Sequence, residues 1–228
     1  MKVTPPVAAL LLIALFARLG FWQLDRAGQK VEMQQAFDSP GEYISVSDHL
    51  EPGRFQAIEA SGRFLPEQQV LIDNVVFNGQ IGYYVITPFR YSGAGPLLLV
   101  NRGWLAKQPG QTVRPDLSFV SSDTDIRGKA GRLPRVGVRP GEAFATEGDW
   151  PRIALWPTID EVAAELDRDL LPYVLLLDDD MDSGYTRSWQ PRVSGPSSHY
   201  GYAFQWFAMA IGVIALAYWH LIRGRKKA

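Results

Sequence analysis

Cysteine is absent from the 228-residue chain, and its absence excludes several kinds of site. There are no disulfide bonds, no thiolate metal ligands and no cysteine nucleophile. The 4 Met and 3 His leave little for a soft-metal carrier, because Cu(I) prefers several sulfur ligands close together. The lack of cysteine also fits a domain on the oxidising side of a membrane.

An excess of charge of either sign is missing as well. The formal net charge is −1, whereas nucleic-acid binding needs a basic footprint, so we expect no nucleic-acid partner. The sequence contains no G-x-S-x-G elbow, Walker loop, H-E-x-x-H or G-x-G-x-x-G. A Ser–His–Asp site stays open, because its members need not be adjacent. We interpret His49 as a solvated loop residue.

A long apolar run occurs at each end of the chain. Residues 200–222 (YGYAFQWFAMAIGVIALAYWHLI) hold no charged side chain and are long enough to cross a hydrocarbon core of ~30 Å. Tyrosines and tryptophans at both ends of this run are typical of the two headgroup layers. The basic residues that follow predict a cytoplasmic tail at 223–228.

The N-terminal run predicts a first transmembrane helix at residues 5–24 (PPVAALLLIALFARLGFWQL). Arg18 lies about 9 Å from the end of this run, and a long arginine side chain can snorkel that far. A cleaved signal peptide is the alternative, but residues 14–17 form a poor cleavage site. Two spans place both termini in the cytoplasm and residues 25–198 outside it. Because the N-terminus does not resemble a mitochondrial transit peptide, we expect a bacterial inner membrane and a periplasmic central domain.

The central segment predicts an α+β domain rich in antiparallel strands. Strands are expected at 55–60, before a break at Gly62-Arg63, and at 70–73, 75–77, 81–86, 97–104, 125–128 and 173–177. Asn78-Gly79 is a strong hairpin signal. A capping box at residues 158–161 begins a helix whose apolar spacing extends to Leu170. A polar helix is expected to continue the first span through about Ala36.

Three local patterns then occur in a fixed order. GFWQLDR (residues 20–26), followed by Lys30, ends the first span, and it includes Trp22 and Gln23. NRGW (Asn101, Arg102, Gly103 and Trp104) ends an apolar strand, with TPF at 87–89 upstream. HYGYAFQWF (residues 199–207) opens the second span. In this order and with two helices, they resemble the surfeit locus protein 1 family of bacterial type, over nearly the whole chain.

The resemblance implies a function and a ligand. Members of that family are assembly factors for haem–copper cytochrome c oxidase. This implies a non-enzymatic role in passing haem a to the oxidase's catalytic subunit or in stabilising that subunit, with haem a synthase as a further candidate partner. It also implies that a haem-binding histidine opens the second span, a position that His199 fills. The family usually has Leu after this histidine, where the chain has Tyr200.

The residues around His199 fit this interpretation by helical spacing. An imidazole at the membrane edge can serve as an axial ligand of haem iron, and Tyr202 and Trp206 share its predicted helix face. The alternative is a histidine bonded to water or lipid headgroups. Arg26 and Arg192 lie beside the two spans as candidate partners of the haem propionates. Ordinary contact with lipid phosphate is the alternative for both arginines.

Two further predictions concern packing. Polar groups in lipid seek partners across helices, so we expect the two spans to pack together with Gln205 facing Arg18 or Gln23. For the 101–104 motif, one interpretation is structural, with Gly103 at a bulge or close approach and Trp104 in the core. The other is contact with a partner protein.

Three functional hypotheses remain at the sequence level. The first is a carrier or stabiliser that binds haem a transiently during oxidase assembly. The second is a haem-free membrane scaffold that holds an immature oxidase subunit. The third is a membrane-anchored hydrolase, which would need catalytic side chains that converge in the outer domain.

Overall fold

A computed structural model of the chain describes residues 5–91, 95–108, 117, 119, 122–135, 137–139, 141–144, 148–181, 185–187, 189 and 196–225. Its helices are α1 (Pro5–Asp38), α2 (Ile159–Leu166) and α3 (Pro196–Arg225). Its strands are β1 (Ile44–Ser45), β2 (Ala57–Phe64), β3 (Val70–Phe77), β4 (Gln80–Tyr91), β5 (Leu97–Ala106), β6 (Thr124–Gly131), β7 (Arg152–Ala154) and β8 (Leu170–Leu177). The chain divides into two units, the terminal segments Met1–Gln35 with Pro191–Ala228, and the central segment Ala36–Gln190.

The terminal helices are both long and apolar enough to cross a membrane. Only 11% of the apolar window of each helix is buried within the protein, so neither is the core helix of a soluble domain. Two apolar helices flank a strand-rich domain, which confirms the predicted fold class. The polar continuation of the first helix is also confirmed, since α1 extends to Asp38.

α1 and α3 pack against each other along one stripe on each helix. The Phe16 and Trp206 rings lie 5.7 Å apart between centroids, and the Phe21 and Phe207 rings meet edge to face at 5.3 Å. A Cβ added to Gly20 would lie 2.7 Å from the Phe207 ring, so glycine makes room for that ring. The prediction that the two spans pack together is confirmed.

The central domain is a sheet that closes on itself. Its strand order is β1-β2-β6-β8-β5-β4-β3-β7, and β2 also pairs with β4. Residues 57–62 of β2 pair with β6 and residues 62–64 pair with β4, which joins β2, β6, β8, β5 and β4 into a barrel. The pairs β1–β2, β3–β7 and β5–β8 are parallel, and the remaining pairs are antiparallel. The predicted preponderance of antiparallel strands is confirmed.

The expected break at Gly62-Arg63 was wrong. β2 runs through both residues, and a Cβ on Gly62 would lie 2.0 Å from the carbonyl oxygen of Arg90 on β4. The glycine therefore allows β4 to approach at the point where the barrel closes. The Asn78-Gly79 hairpin is confirmed, and both residues adopt positive φ angles, as a type I′ turn requires.

α2 begins at the predicted capping box but ends earlier than expected. The Thr158 hydroxyl accepts a hydrogen bond from the Glu161 amide, and the Glu161 carboxylate accepts one from the Thr158 amide. Asp167, with φ of 51°, terminates the helix in the left-handed region, so Leu170 begins β8 instead of continuing α2. The Arg139 guanidinium beside Glu161 lowers the pKa of that carboxyl to about 2.

Candidate functional site

His199 lies in the first turn of α3 and is hydrogen-bonded to α1. It is half-buried, and its Nδ1 lies 2.8 Å from Oε1 of Gln23. The two residues are 176 positions apart in the sequence. The structure therefore pairs the histidine of the third motif with the glutamine of the first.

The pairing follows from the periodicity of the two helices. Residues three and four apart lie on one face of a helix, and on α1 this face holds Phe16, Gly20 and Gln23. On α3 the corresponding face begins at His199 and continues to Trp206. Because the helices run in opposite directions, Phe16 meets Trp206 while Gln23, two turns further along, meets His199.

This hydrogen bond leaves one ring nitrogen of His199 available for a ligand. An amide oxygen only accepts hydrogen bonds, so Nδ1 is the donor, and in a neutral imidazole with Nδ1 protonated the lone pair is on Nε2. Within the described residues no group of three His, Cys, Asp or Glu side chains could hold a metal ion. A haem supplies four nitrogen ligands of its own and needs one axial protein ligand, which a single imidazole can provide. The donor set at His199 thus fits a haem better than a bare metal ion.

The two predicted aromatic neighbours of His199 have different environments. Trp206 is half-buried against Phe16 in the seam between the helices. Tyr202 is 54% exposed and lies outside that seam. Tyr202 is therefore accessible to a flat ligand on the outer surface of the helix pair, whereas Trp206 contributes to the packing between the helices.

Arg26, one of the two predicted arginines, and Trp22 lie at the end of the first span. Arg26 is exposed, and its Nη1 donates a hydrogen bond to Oε1 of Gln29 at 2.7 Å. Its guanidinium carbon also lies 5.7 Å from the ring centroid of the exposed Trp22. Arg192 lies outside the described residues. Binding of propionates by either arginine stays a prediction.

The predicted contact of Gln205 with Arg18 or Gln23 was wrong. Both Gln205 and Arg18 are exposed, because each lies two residues from the buried position of its own helix, Ala203 and Gly20 respectively. Two residues correspond to a rotation of about 200°, which turns both side chains away from the seam. The partner of Gln23 is His199.

The 101–104 motif is buried within the central domain. Asn101, Arg102 and Trp104 are each less than a tenth exposed, and the Trp104 Nε1 donates a hydrogen bond to the carbonyl of Val75 at 3.0 Å. Gly103 has φ of 127°, and a Cβ there would lie 2.9 Å from the backbone of Tyr185. These contacts support the structural interpretation of the motif. Backbone hydrogen bonds also join Tyr185 and Thr186 to Arg102 and Trp104 of β5.

Arg102 is buried among aromatic rings. Its guanidinium carbon lies 4.3 Å from the ring centroid of Phe119, 5.2 Å from that of Tyr185 and 5.4 Å from that of Phe64. Burial lowers the pKa of Arg102 from its ordinary value. Three aromatic rings therefore lie within cation–π distance of the guanidinium.

An open groove of about 670 Å³ on the surface of the central domain is lined in part by Ser61 and Asp125, whose side chains are hydrogen-bonded at 2.6 Å. His49, the only histidine of the domain, is exposed and is not among the residues that line this groove.

The model of the SURF1 family matches residues 10–211. The chain belongs to the SURF1 family. It is 26% identical to a SURF1-like protein of Monosiga brevicollis, over 90% of this chain and 82% of the relative, and 24% identical to one of Rickettsia felis, over 92% and 93%. A yeast relative named cytochrome oxidase assembly protein SHY1 is 27% identical over 62% of this chain and 38% of its own length.

In this SURF1-family chain, sequence reasoning missed the pairing of His199 with Gln23. Each residue belongs to a different motif, and the sequence predicts that Gln205 faces Arg18 or Gln23. The helical spacing of Phe16, Gly20 and Gln23 could have predicted that Gln23 faces the second helix. This spacing places a small residue and an aromatic ring on the face that carries the glutamine.

Proposed function

We propose that this protein is a non-enzymatic assembly factor for a haem–copper cytochrome c oxidase and that it binds haem a through His199. Family membership and the printed name of the yeast relative support the role in oxidase assembly. The observation that carries the haem proposal is the His199–Gln23 hydrogen bond, which leaves Nε2 of the imidazole free to bind iron. The catalytic subunit of the oxidase is the proposed recipient, and haem a synthase a candidate donor.

The proposed location is a bacterial inner membrane with the central domain in the periplasm. The basic residues after α3 favour a cytoplasmic C-terminus, and two spans then return the N-terminus to the same side. His199 would lie at the periplasmic edge of the bilayer, where an apolar macrocycle enters lipid and its propionates reach the headgroups. Arg26, one turn beyond Gln23 on α1, is the proposed propionate partner among the described residues.

The test is the absorption spectrum of the protein purified from cells that make haem a. We expect a haem a spectrum for the unchanged protein and its loss for His199→Ala. His220→Ala is the matched control, because His220 is exposed near the other end of α3 and should leave the spectrum unchanged.

A second outcome would favour the scaffold. If the unchanged protein is colourless but still co-purifies with the catalytic subunit of the oxidase, assembly does not involve haem binding by this chain. If His199→Ala and His220→Ala retain the same haem a spectrum, another residue is the ligand and the assignment of His199 is wrong.

A further inference from the structure

We infer that Gln23 is a positioning residue that holds the His199 imidazole as the Nδ1–H tautomer and so selects Nε2 as the iron ligand. This inference rests on the proposed binding of haem a. It goes beyond that proposal because it assigns to the first span a direct part in the ligand site of the second. It also connects the GFWQLDR and HYGYAFQWF motifs of this chain through one hydrogen bond.

The chemistry of the pair carries the inference. Neutral imidazole has one protonated and one unprotonated nitrogen, and an unrestrained ring exchanges between the two tautomers. At 2.8 Å from Nδ1, the Gln23 oxygen can be satisfied only if that nitrogen donates. Partners of this kind fix both the tautomer and the ring orientation of histidines that bind metals.

The packing around Gln23 keeps its side chain in place. Gly20 and Ala27, one turn before and one turn after Gln23, are both buried, so the intervening face of α1 is covered along its length. Gln23 itself is half-buried. At the edge of a bilayer, where water competes less for polar groups, a hydrogen bond between two such side chains is stronger than in bulk water.

The identity of the acceptor matters for the iron. A carboxylate at this position would draw the Nδ1 proton and increase the basicity of Nε2, which strengthens the axial bond and lowers the reduction potential. The neutral amide orients the ring without that increase. A moderately basic ligand suits a protein that must release its haem to an acceptor.

The first measurement is ¹⁵N NMR of the histidine rings in the haem-free, full-length protein in nanodiscs. The chain has 3 His, so His199→Ala identifies the signals of His199 directly. We expect the Nδ1–H tautomer in the unchanged protein, an increased share of Nε2–H in Gln23→Leu, and a return to Nδ1–H in Gln23→Glu. Gln205→Leu is the matched control, since Gln205 is an exposed glutamine of the helix pair. This substitution should leave the proportions of the two His199 tautomers unchanged.

The second measurement is haem a affinity with the midpoint potential of the bound haem. Gln23→Leu should weaken haem binding by about 10- to 100-fold, the usual effect of removing such a partner, and Gln23→Glu should bind haem at a lower potential. A purely structural role of Gln23 would predict weaker haem binding in Gln23→Leu, but it would not predict a lower midpoint potential in Gln23→Glu.

Two results would overturn the inference. One is an Nε2–H tautomer for His199 in the unchanged, haem-free protein. The other is unaltered haem affinity in Gln23→Leu. If the unchanged protein binds no haem a at all, the proposed function fails and the ligand role fails with it, while the NMR result still shows separately whether the hydrogen-bond geometry was correct.

Discussion

At the scale of single residues, Arg102 is a buried cation of the central domain. The burial of a cation in an apolar interior is costly unless the charge is compensated. Here three aromatic faces surround the guanidinium, and Nη1 also donates to Oε1 of Gln69 at 3.4 Å. The planar guanidinium can stack on rings in a way that the ammonium of lysine cannot.

The contacts of Arg102 predict that a positive charge alone does not preserve the stability of the domain at this position. Arg102→Lys keeps the charge but loses the stacking, so it should lower the free energy of unfolding by about 1–3 kcal/mol. The measurement is chemical denaturation of the full-length protein in detergent, followed by tryptophan fluorescence. Arg135→Lys, at an exposed position, is the control and should have little effect. Equal stability of the two variants would show that the rings do not contribute.

Also at the residue scale, the sequence indicates both His199 and Gln23 as candidate site residues, but for separate reasons. Each motif has a polar residue at the edge of an apolar run, and such a residue is a candidate functional residue. The partner of such a residue depends on how two distant helices are rotated about their axes. Neither motif contains that information by itself. The spacing within each motif therefore does not distinguish Gln205 from His199 as the partner of Gln23.

At the scale of elements, the seam between α1 and α3 places Gln23 opposite His199. Lipid surrounds a pair of membrane helices on its outer surface, so their association depends on close packing more than on the hydrophobic effect. Gly20 lies at the closest approach, against the Phe207 ring. This small residue therefore bears on the site even though it has no side chain to bind a ligand.

The position of Gly20 predicts that a larger side chain separates the helices. Gly20→Leu should reduce cross-linking between cysteines introduced at Phe16 and Trp206, whose rings are in contact in the unchanged protein. The chain has no native cysteine, so a short bismaleimide reagent reports on this pair alone. Gly212→Leu is the control, because a Cβ at Gly212 would meet no atom within 4 Å. Similar cross-linking in both variants would argue against the seam.

At the scale of the whole molecule, the arrangement of the chain across the membrane decides which compartment the central domain occupies. The proposed arrangement places this domain in the periplasm and both termini in the cytoplasm. Val138 is 89% exposed in the central domain and offers a reporter position. Ala228, at the end of the basic tail, offers a second position.

Labelling with a membrane-impermeant maleimide tests this arrangement. Val138→Cys should react in cells whose outer membrane alone is permeabilised, because the central domain would be accessible from the periplasm. Ala228→Cys should react only after lysis, and the cysteine-free parent provides the background. The reverse pattern would place the domain in the cytoplasm and exclude a periplasmic haem site.

Local sequence patterns were enough to predict the two spans, the capping box at Thr158, the Asn78-Gly79 turn and most strands. These features depend on local composition and spacing, because a transmembrane helix, a cap or a type I′ turn is specified by the residues within it. Family resemblance through three motifs likewise needed no structure, and the family comparison confirmed it.

Three features could be identified only from the folded chain: the closure of the barrel at Gly62, the burial of Arg102 and the partner of His199. Gly62 reads locally as a strand break, and only the approach of Arg90 from β4 explains why a glycine lies within β2. The His199–Gln23 bond joins residues 176 positions apart. Such pairs are fixed by the rotation of one packed element against another, which depends on all the contacts of both elements and is encoded in neither one alone.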